Sequence, residues 1–175
     1  ETKGKSITEG INHLIADFEK GRISMTDESV FEVGKNIATT AGAVVFENEL
    51  MQLIQYAPLT PKVGTRPLLM VPPCINKFYI MDLQPDNSLI RYMVEQGNTV
   101  FLVSWRNPTE AQGHLQWDDY LEHGPIAALH VVRDICKVKQ VNALGFCVGG
   151  TILTSALAVL KGRGEDIVSS LTLLT

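Results

Sequence analysis

The sequence predicts an α/β fold with a mostly parallel sheet, and three observations carry that reading. Strand-length apolar runs alternate with helix-length amphipathic runs from about residue 67 onward. Two β-rich runs around a turn precede them as an antiparallel hairpin, after which the alternation implies right-handed crossovers. Finally, Gly145-Phe146-Cys147-Val148-Gly149-Gly150 joins a β-rich run, Val141 to Leu144, to a helix-like run, Thr151 to Leu160. That is the strand–turn–helix setting of a nucleophile elbow, with cysteine where the G-x-S-x-G pattern has serine.

The elements follow in order. Ser6-Ile7-Thr8-Glu9 has the form of a capping box, and Ile7, Ile11, Leu14, Ile15 and Phe18 share one helical face, with Gly21 as the stop. This helix is expected to flank the main body, and the mixed residues 22–41 to connect to it. Residues 1–41 are thus set apart from 42–175. Ala43-Val44-Val45-Phe46 and Leu50 to Tyr56 form the hairpin around Glu47-Asn48-Glu49, and Pro58, Pro61 and Gly64 mark a loop. Leu68 to Val71, bounded by Pro67 and by Pro72-Pro73, reads as a strand buried on both faces. A helix over Asn87 to Gln96, stopped by Gly97, leads to a buried strand over Thr99 to Trp105. Trp117 to Lys137 is helical with a break at Gly124-Pro125. After the strand Val141 to Phe146 and the helix Val148 to Lys161, Ser169 to Leu174 begins one more strand. It runs into the end of the chain, so the sheet is expected to be truncated after the strand that follows the elbow helix.

Composition narrows the class. A hydrophobic content of 45% and a net charge of −4 over 175 residues describe one globular domain with a real core. The 15 Lys and Arg are scattered, which disfavours nucleic acid as a partner. Apolar stretches are too short for a transmembrane helix, and no signal peptide is legible. Cys74, Cys136 and Cys147 have no C-x-x-C spacing, so neither a disulfide framework nor a metal site is expected. No dinucleotide or P-loop fingerprint occurs.

Chemistry concentrates at Cys147. In so tight a turn the neighbours must be small, which Gly145, Gly149 and Gly150 supply. The sulfur is then placed at the head of a helix, whose unpaired N–H groups favour negative charge. The competing reading is a buried, inert thiol; the elbow context favours the nucleophile. An oxyanion formed there needs two aimed donors. The backbone N–H of Val148 is one, and the loop Cys74-Ile75-Asn76 offers the other; Ile75 is favoured, and Pro72 and Pro73, with no N–H to give, narrow the candidates. Cys74 reads as structural or as pocket lining. Asp82 either meets substrate, positions its loop or caps a helix. Asp118 and Asp119 suit a helix start rather than acid–base work. Trp105 and Trp117 read as packing residues and Cys136 as structural.

Four blocks in order, Pro72 to Leu83, Val100 to Pro108, Trp117-Asp118-Asp119-Tyr120 and Gly145 to Gly150, resemble polyhydroxyalkanoate synthases of class I, the poly(3-hydroxybutyrate) polymerases. The resemblance is good over roughly residues 40–175. It implies an α/β-hydrolase fold and an acyltransferase that polymerises (R)-3-hydroxyacyl-coenzyme A through a thioester on Cys147. Coenzyme A is then part of the substrate and a leaving group, and no cofactor is expected. Cys74, Asn76 and Asp82 fall in the block nearest the implied substrate pocket. The family's catalytic Asp and His lie well beyond its elbow. His13, His114, His123 and His130 all precede Cys147, so none is assigned to catalysis, and this stretch is expected to be inactive alone. Homodimerisation and a cytoplasmic location at polymer granules are also implied. Two alternatives stay open: a cysteine-type hydrolase, such as a thioesterase or a dienelactone-hydrolase relative, and a non-catalytic α/β binding module.

Overall fold

The structure is a computed structural model that describes residues 2–175. The chain divides into two compact units, one ending at Glu32 and the other running from Val33 to Thr175. Residues 33–41, read from the sequence with the first segment, are tied into the second unit. Ala38 N–H donates to the carbonyls of Asp82 and Leu83, and Thr40 donates to the Asp82 carboxylate.

The first unit is built on α1 (Lys5–Lys20), which carries the expected apolar face and ends at Gly21 in the left-handed conformation. Its start differs from expectation. The N-cap is Gly4, with φ 87°, and no side chain caps the helix. Ser6 lies inside the first turn, where its hydroxyl pairs with that of Thr2, so the capping box does not form. Glycine reaches the left-handed conformation at little cost, and that fixes the entry two residues earlier. Beyond the helix, Asp17 Oδ1 accepts from Ser24 N–H, and Arg22 forks onto Glu28.

The second unit holds one six-stranded sheet. In chain order its strands are β1 (Gly42–Glu47), β2 (Met51–Tyr56), β3 (Leu68–Val71), β4 (Val100–Trp105), β5 (Val141–Phe146) and β6 (Val168–Leu174). They lie side by side as β1-β2-β4-β3-β5-β6. The hairpin β1–β2 is antiparallel, with Asn48 Oδ1 accepting the N–H groups of Leu50 and Met51 at its turn. β2 joins β4 antiparallel, and the β4–β3, β3–β5 and β5–β6 pairings are parallel.

Alternate residues of the central strands feed two cores, as the period-2 geometry of a strand requires. Leu69 and Val71 of β3 and Phe101, Val103 and Trp105 of β4 face one cluster. That cluster also takes apolar residues of α4 (Ala127–Cys136) and α5 (Val148–Gly162). Leu68, Met70, Val100 and Leu102 face the other, beneath α2 (Leu89–Glu95). Helices therefore cover both faces, which is why these strands read as unbroken apolar runs. The outer strands β1 and β6 are mostly exposed.

Two helical expectations are refined. Ser88, whose hydroxyl accepts from Arg91 N–H, starts α2 after a short 3-10 turn over Pro85–Asn87. The break at Gly124-Pro125 is present, as a π-type segment over Glu122–Ile126 between α3 (Trp117–Leu121) and α4, with Gly124 at non-helical φ −96°, ψ −110°. Asp118 and Asp119 sit in the first turn of α3, and Asp119 accepts from Gln116 N–H. They serve the helix start.

Candidate active site

Because β3, β4 and β5 run parallel, their C-terminal ends share one edge of the sheet. Ligand sites of open α/β sheets form along such an edge. Cys147 stands there between β5 and α5, with its side chain exposed. Its backbone has φ 52° and ψ −126°. A non-glycine residue held so costs on the order of 1–3 kcal/mol and persists only where its surroundings over-determine it. Here Cys147 N–H donates to Leu174 O at 2.8 Å, and Cys147 O accepts from Gly150 N–H at 2.9 Å.

The three glycines have separate roles. A Cβ on Gly149 would lie 2.1 Å from Val71 O and 2.7 Å from both the carbonyl carbon and oxygen of Pro72. The start of α5 therefore rests directly on the end of β3. A Cβ on Gly145 would meet Gly150 Cα at 2.5 Å, so these two positions let β5 and α5 approach closely. At Gly150 itself the nearest atom is Leu173 Cδ2, at 3.3 Å.

The two expected oxyanion donors lie at this edge. Val148 is the first residue of α5, and its N–H has no acceptor among the described residues. The contact of Gly149 with Pro72 places that helix start against the strand end from which the other loop departs. Pro73 to Asn76 form a turn, in which Asn76 N–H donates to Pro73 O at 3.3 Å. The N–H of Ile75 likewise has no acceptor among the described residues, and the residue is 75% exposed. Asn76 is exposed too. Cys74 is half-buried against the core that holds Val71 and Trp105, and this burial raises its thiol pKa.

Asp82 stands apart from this group. It is fully buried, and its carboxylate takes the hydroxyls of Thr40 and Ser88, each at 2.6 Å. Its backbone N–H closes the short 3-10 helix Phe78–Met81 onto Tyr79 O, while its side chain caps no helix directly and acts through Ser88, which caps α2. A carboxylate so engaged is a staple between the 38–40 segment and the loop after β3. Burial and the Asp82 charge also raise the phenol of Tyr56.

Sequence reasoning treated Trp105 as packing only. The structure adds a polar role: its buried Nε1–H donates to Pro72 O at 2.8 Å. A tryptophan closing a buried strand is a hint, since an indole N–H taken from water needs a partner. None of the four histidines is hydrogen-bonded to Cys147 among the described residues; His130 faces Glu165 at 3.5 Å, and His114 Nδ1 meets Ala111 O. No group of three or more His, Cys, Asp or Glu among the described residues could hold a metal.

Known proteins match this chain in two overlapping stretches. Residues 1–93 fit the family described as poly-beta-hydroxybutyrate polymerase (PhaC) N-terminus, which is more than half of the chain. The chain belongs to the PhaC polymerase family. Residues 67–175 fit the alpha/beta hydrolase fold, as the elbow and sheet require. Among its relatives, the poly(3-hydroxyalkanoate) polymerase subunit PhaC of Cupriavidus necator is 61% identical over 175 residues, 100% of this chain and 30% of that protein. Poly(3-hydroxyalkanoate) polymerase of Methylorubrum extorquens is 45% identical over 100% of this chain and 30% of its own length. This PhaC-family chain thus spans about a third of the curated relatives it matches. An ester-hydrolase from the metagenome of Lake Arreo shares the fold, with TM-score 0.55 at 17% identity over 79% of this chain and 44% of its own. No helix among the described residues is long and apolar enough to cross a membrane.

Proposed function

We propose that this chain is the nucleophile-bearing part of an acyltransferase that polymerises (R)-3-hydroxyacyl-coenzyme A into polyhydroxyalkanoate. One observation carries the reading: an exposed cysteine in strained backbone, at an edge where the N–H groups of Val148 and Ile75 are unpaired. Membership of the PhaC family supplies the substrate class.

The Cys147 thiol loses its proton to a base and Sγ attacks the thioester carbonyl carbon. The new C–S bond forms as the carbonyl electrons move onto oxygen, where the Val148 and Ile75 N–H groups stabilise the charge. Collapse breaks the bond to coenzyme A, which leaves as its thiol with the proton. The 3-hydroxyl of another unit then attacks the Cys147 thioester, an ester forms, and the thiol returns. Cysteine suits this sequence. Loading exchanges one thioester for another, so it is nearly balanced, and the step to an ester runs downhill. A serine ester would give up that drive at the first step. The base is a residue other than the four histidines, in keeping with family chain order. Homodimerisation and residence at polymer granules in the cytoplasm belong to the same reading.

The experiment is acyl labelling of the full-length protein with radiolabelled 3-hydroxybutyryl-coenzyme A, with and without Cys147→Ala. Label on a Cys147 peptide and insoluble polyester are expected, both lost in the variant. Polyester formation by Cys147→Ala would remove the nucleophile, and free 3-hydroxybutyrate as the only product would favour a hydrolase.

A further inference from the structure

Ile75 N–H can serve as an oxyanion donor only if its loop holds one conformation, and the loop is exposed. Its fixed point is the end of β3. Pro72 carries a carbonyl but no N–H, and that carbonyl points away from the solvent toward Trp105. The bond from Trp105 Nε1 to Pro72 O, 2.8 Å long and buried, spans 33 residues of sequence. The indole is itself clamped. It is 7% exposed, lies against Tyr120 with ring centroids 5.8 Å apart, and abuts Gly124, where a Cβ would come within 2.5 Å of Cη2. The same Pro72 carbonyl oxygen lies 2.7 Å from where a Cβ on Gly149 would be. One peptide plane therefore touches the clamped indole, the start of the nucleophile helix and, through Pro73, the turn that presents Ile75.

We propose that Trp105 is a positioning residue for acyl transfer: its indole N–H fixes the Pro72–Pro73 peptide plane, and this plane sets where the Ile75 N–H points relative to Cys147. The inference rests on the Cys147 and Ile75 roles given above. Without the N–H, Pro72 O is buried with no donor, and a buried carbonyl in that state turns to find one. Turning it rotates the first peptide of the 73–76 turn. Displacement of a catalytic group by about 1 Å costs on the order of a hundredfold in rate, and loss of one oxyanion donor costs a similar factor or more.

The test replaces Trp105 in the full-length protein by Phe and, separately, by benzothienylalanine, which keeps the indole shape with sulfur in place of N–H. Two reactions of Cys147 are then compared. Acylation by 3-hydroxybutyryl-coenzyme A passes through an oxyanion; alkylation by iodoacetamide displaces iodide at carbon and forms none. Both variants should acylate about ten- to a hundredfold more slowly at saturating substrate, with alkylation of Cys147 and the KM changed less than about twofold. Unchanged acylation in the benzothienylalanine variant would overturn the proposal. So would a parallel fall in acylation and alkylation, which marks general disruption of the elbow. If the unaltered protein takes no acyl label on Cys147 but alkylates there normally, the nucleophile reading fails and this inference falls with it.

Discussion

Gly149→Ala is the sharpest test of how the elbow is built. The new methyl carbon would lie 2.1 Å from Val71 O and 2.7 Å from the Pro72 carbonyl, whereas ordinary contact begins near 3.4 Å. Relief therefore needs a shift of about 1 Å, and every atom in the way is backbone: Val71, which ends β3 and pairs with Gly145 of β5, and Pro72, which follows it. Overpacking costs about 1–3 kcal/mol where side chains can yield, and more where they cannot. We expect a loss of about 3 kcal/mol or more, a large share of the ordinary 5–15 kcal/mol of about one domain. Gly150→Ala is the matched control. Its Cβ would meet Leu173 Cδ2 at 3.3 Å, the end of a flexible side chain on an outer strand. That crowding is offset by the helix preference of Ala over Gly, worth up to about 1 kcal/mol. Urea unfolding midpoints of the two variants, measured side by side, should separate widely, with Gly150→Ala near the unaltered protein. Equal midpoints would refute the claim that α5 rests on the end of β3.

Three further outcomes follow from particular side chains. Asp82→Ala leaves the Thr40 and Ser88 hydroxyls without their buried acceptor and should cost about 3 kcal/mol in urea unfolding, with Asp82→Asn losing about half as much; a neutral Asp82→Ala would show that the staple is not needed. Burial raises the Cys74 thiol, so its contribution to stability is full below the ordinary thiol pKa and fades as pH rises through the folded value. Its iodoacetamide reactivity, followed in a Cys136→Ser, Cys147→Ala background, should accordingly rise at higher pH than for a free thiol, and a coincident curve would contradict the burial. The hydrogen bond from Arg163 lowers the Glu122 carboxyl, so this pair stabilises above the ordinary glutamate range and its contribution disappears as pH falls through the lowered value. Both partners are over a third exposed, so water and salt screen the effect. Melting temperatures of Glu122→Gln and the unaltered protein should differ slightly at neutral pH and converge in acid.

What could be read from the sequence was local. The prolines around Leu68 to Val71 mark a strand end, the turn residues 47–49 mark the hairpin, and the glycines about Cys147 mark the elbow, because each signal lies within a few residues of what it specifies. The strand order was not legible. That β4 lies between β2 and β3 depends on how crossovers pack, and a β4 sequence is equally apolar in any central position. The same limit hid the partners of two buried polar side chains. Asp82 meets Thr40 across 42 residues and Trp105 meets Pro72 across 33, distances that no periodicity encodes. Ser6 misled for the converse reason: its capping motif is local and well formed, but Gly4 reaches the left-handed entry more easily.

These long-range ties explain how an exposed residue can hold a strained conformation. Released from its surroundings, Cys147 would relax toward an ordinary backbone well and carry its sulfur with it. It is prevented on both sides. Ahead of it, the N–H is bonded to Leu174 at the end of β6; behind it, the carbonyl is bonded to Gly150 one turn into α5. The helix cannot slide to relieve either bond, because Gly149 is pressed on Val71 and Pro72 and Gly145 on Gly150. Pro72 in turn is held by an indole seated against Gly124. Rigidity at the sulfur is thus supplied by groups on β3, β4, β6 and α5 rather than by the cysteine itself. It follows that Gly145→Ala or Gly124→Ala, neither of which removes a reacting group, should weaken the site through geometry alone.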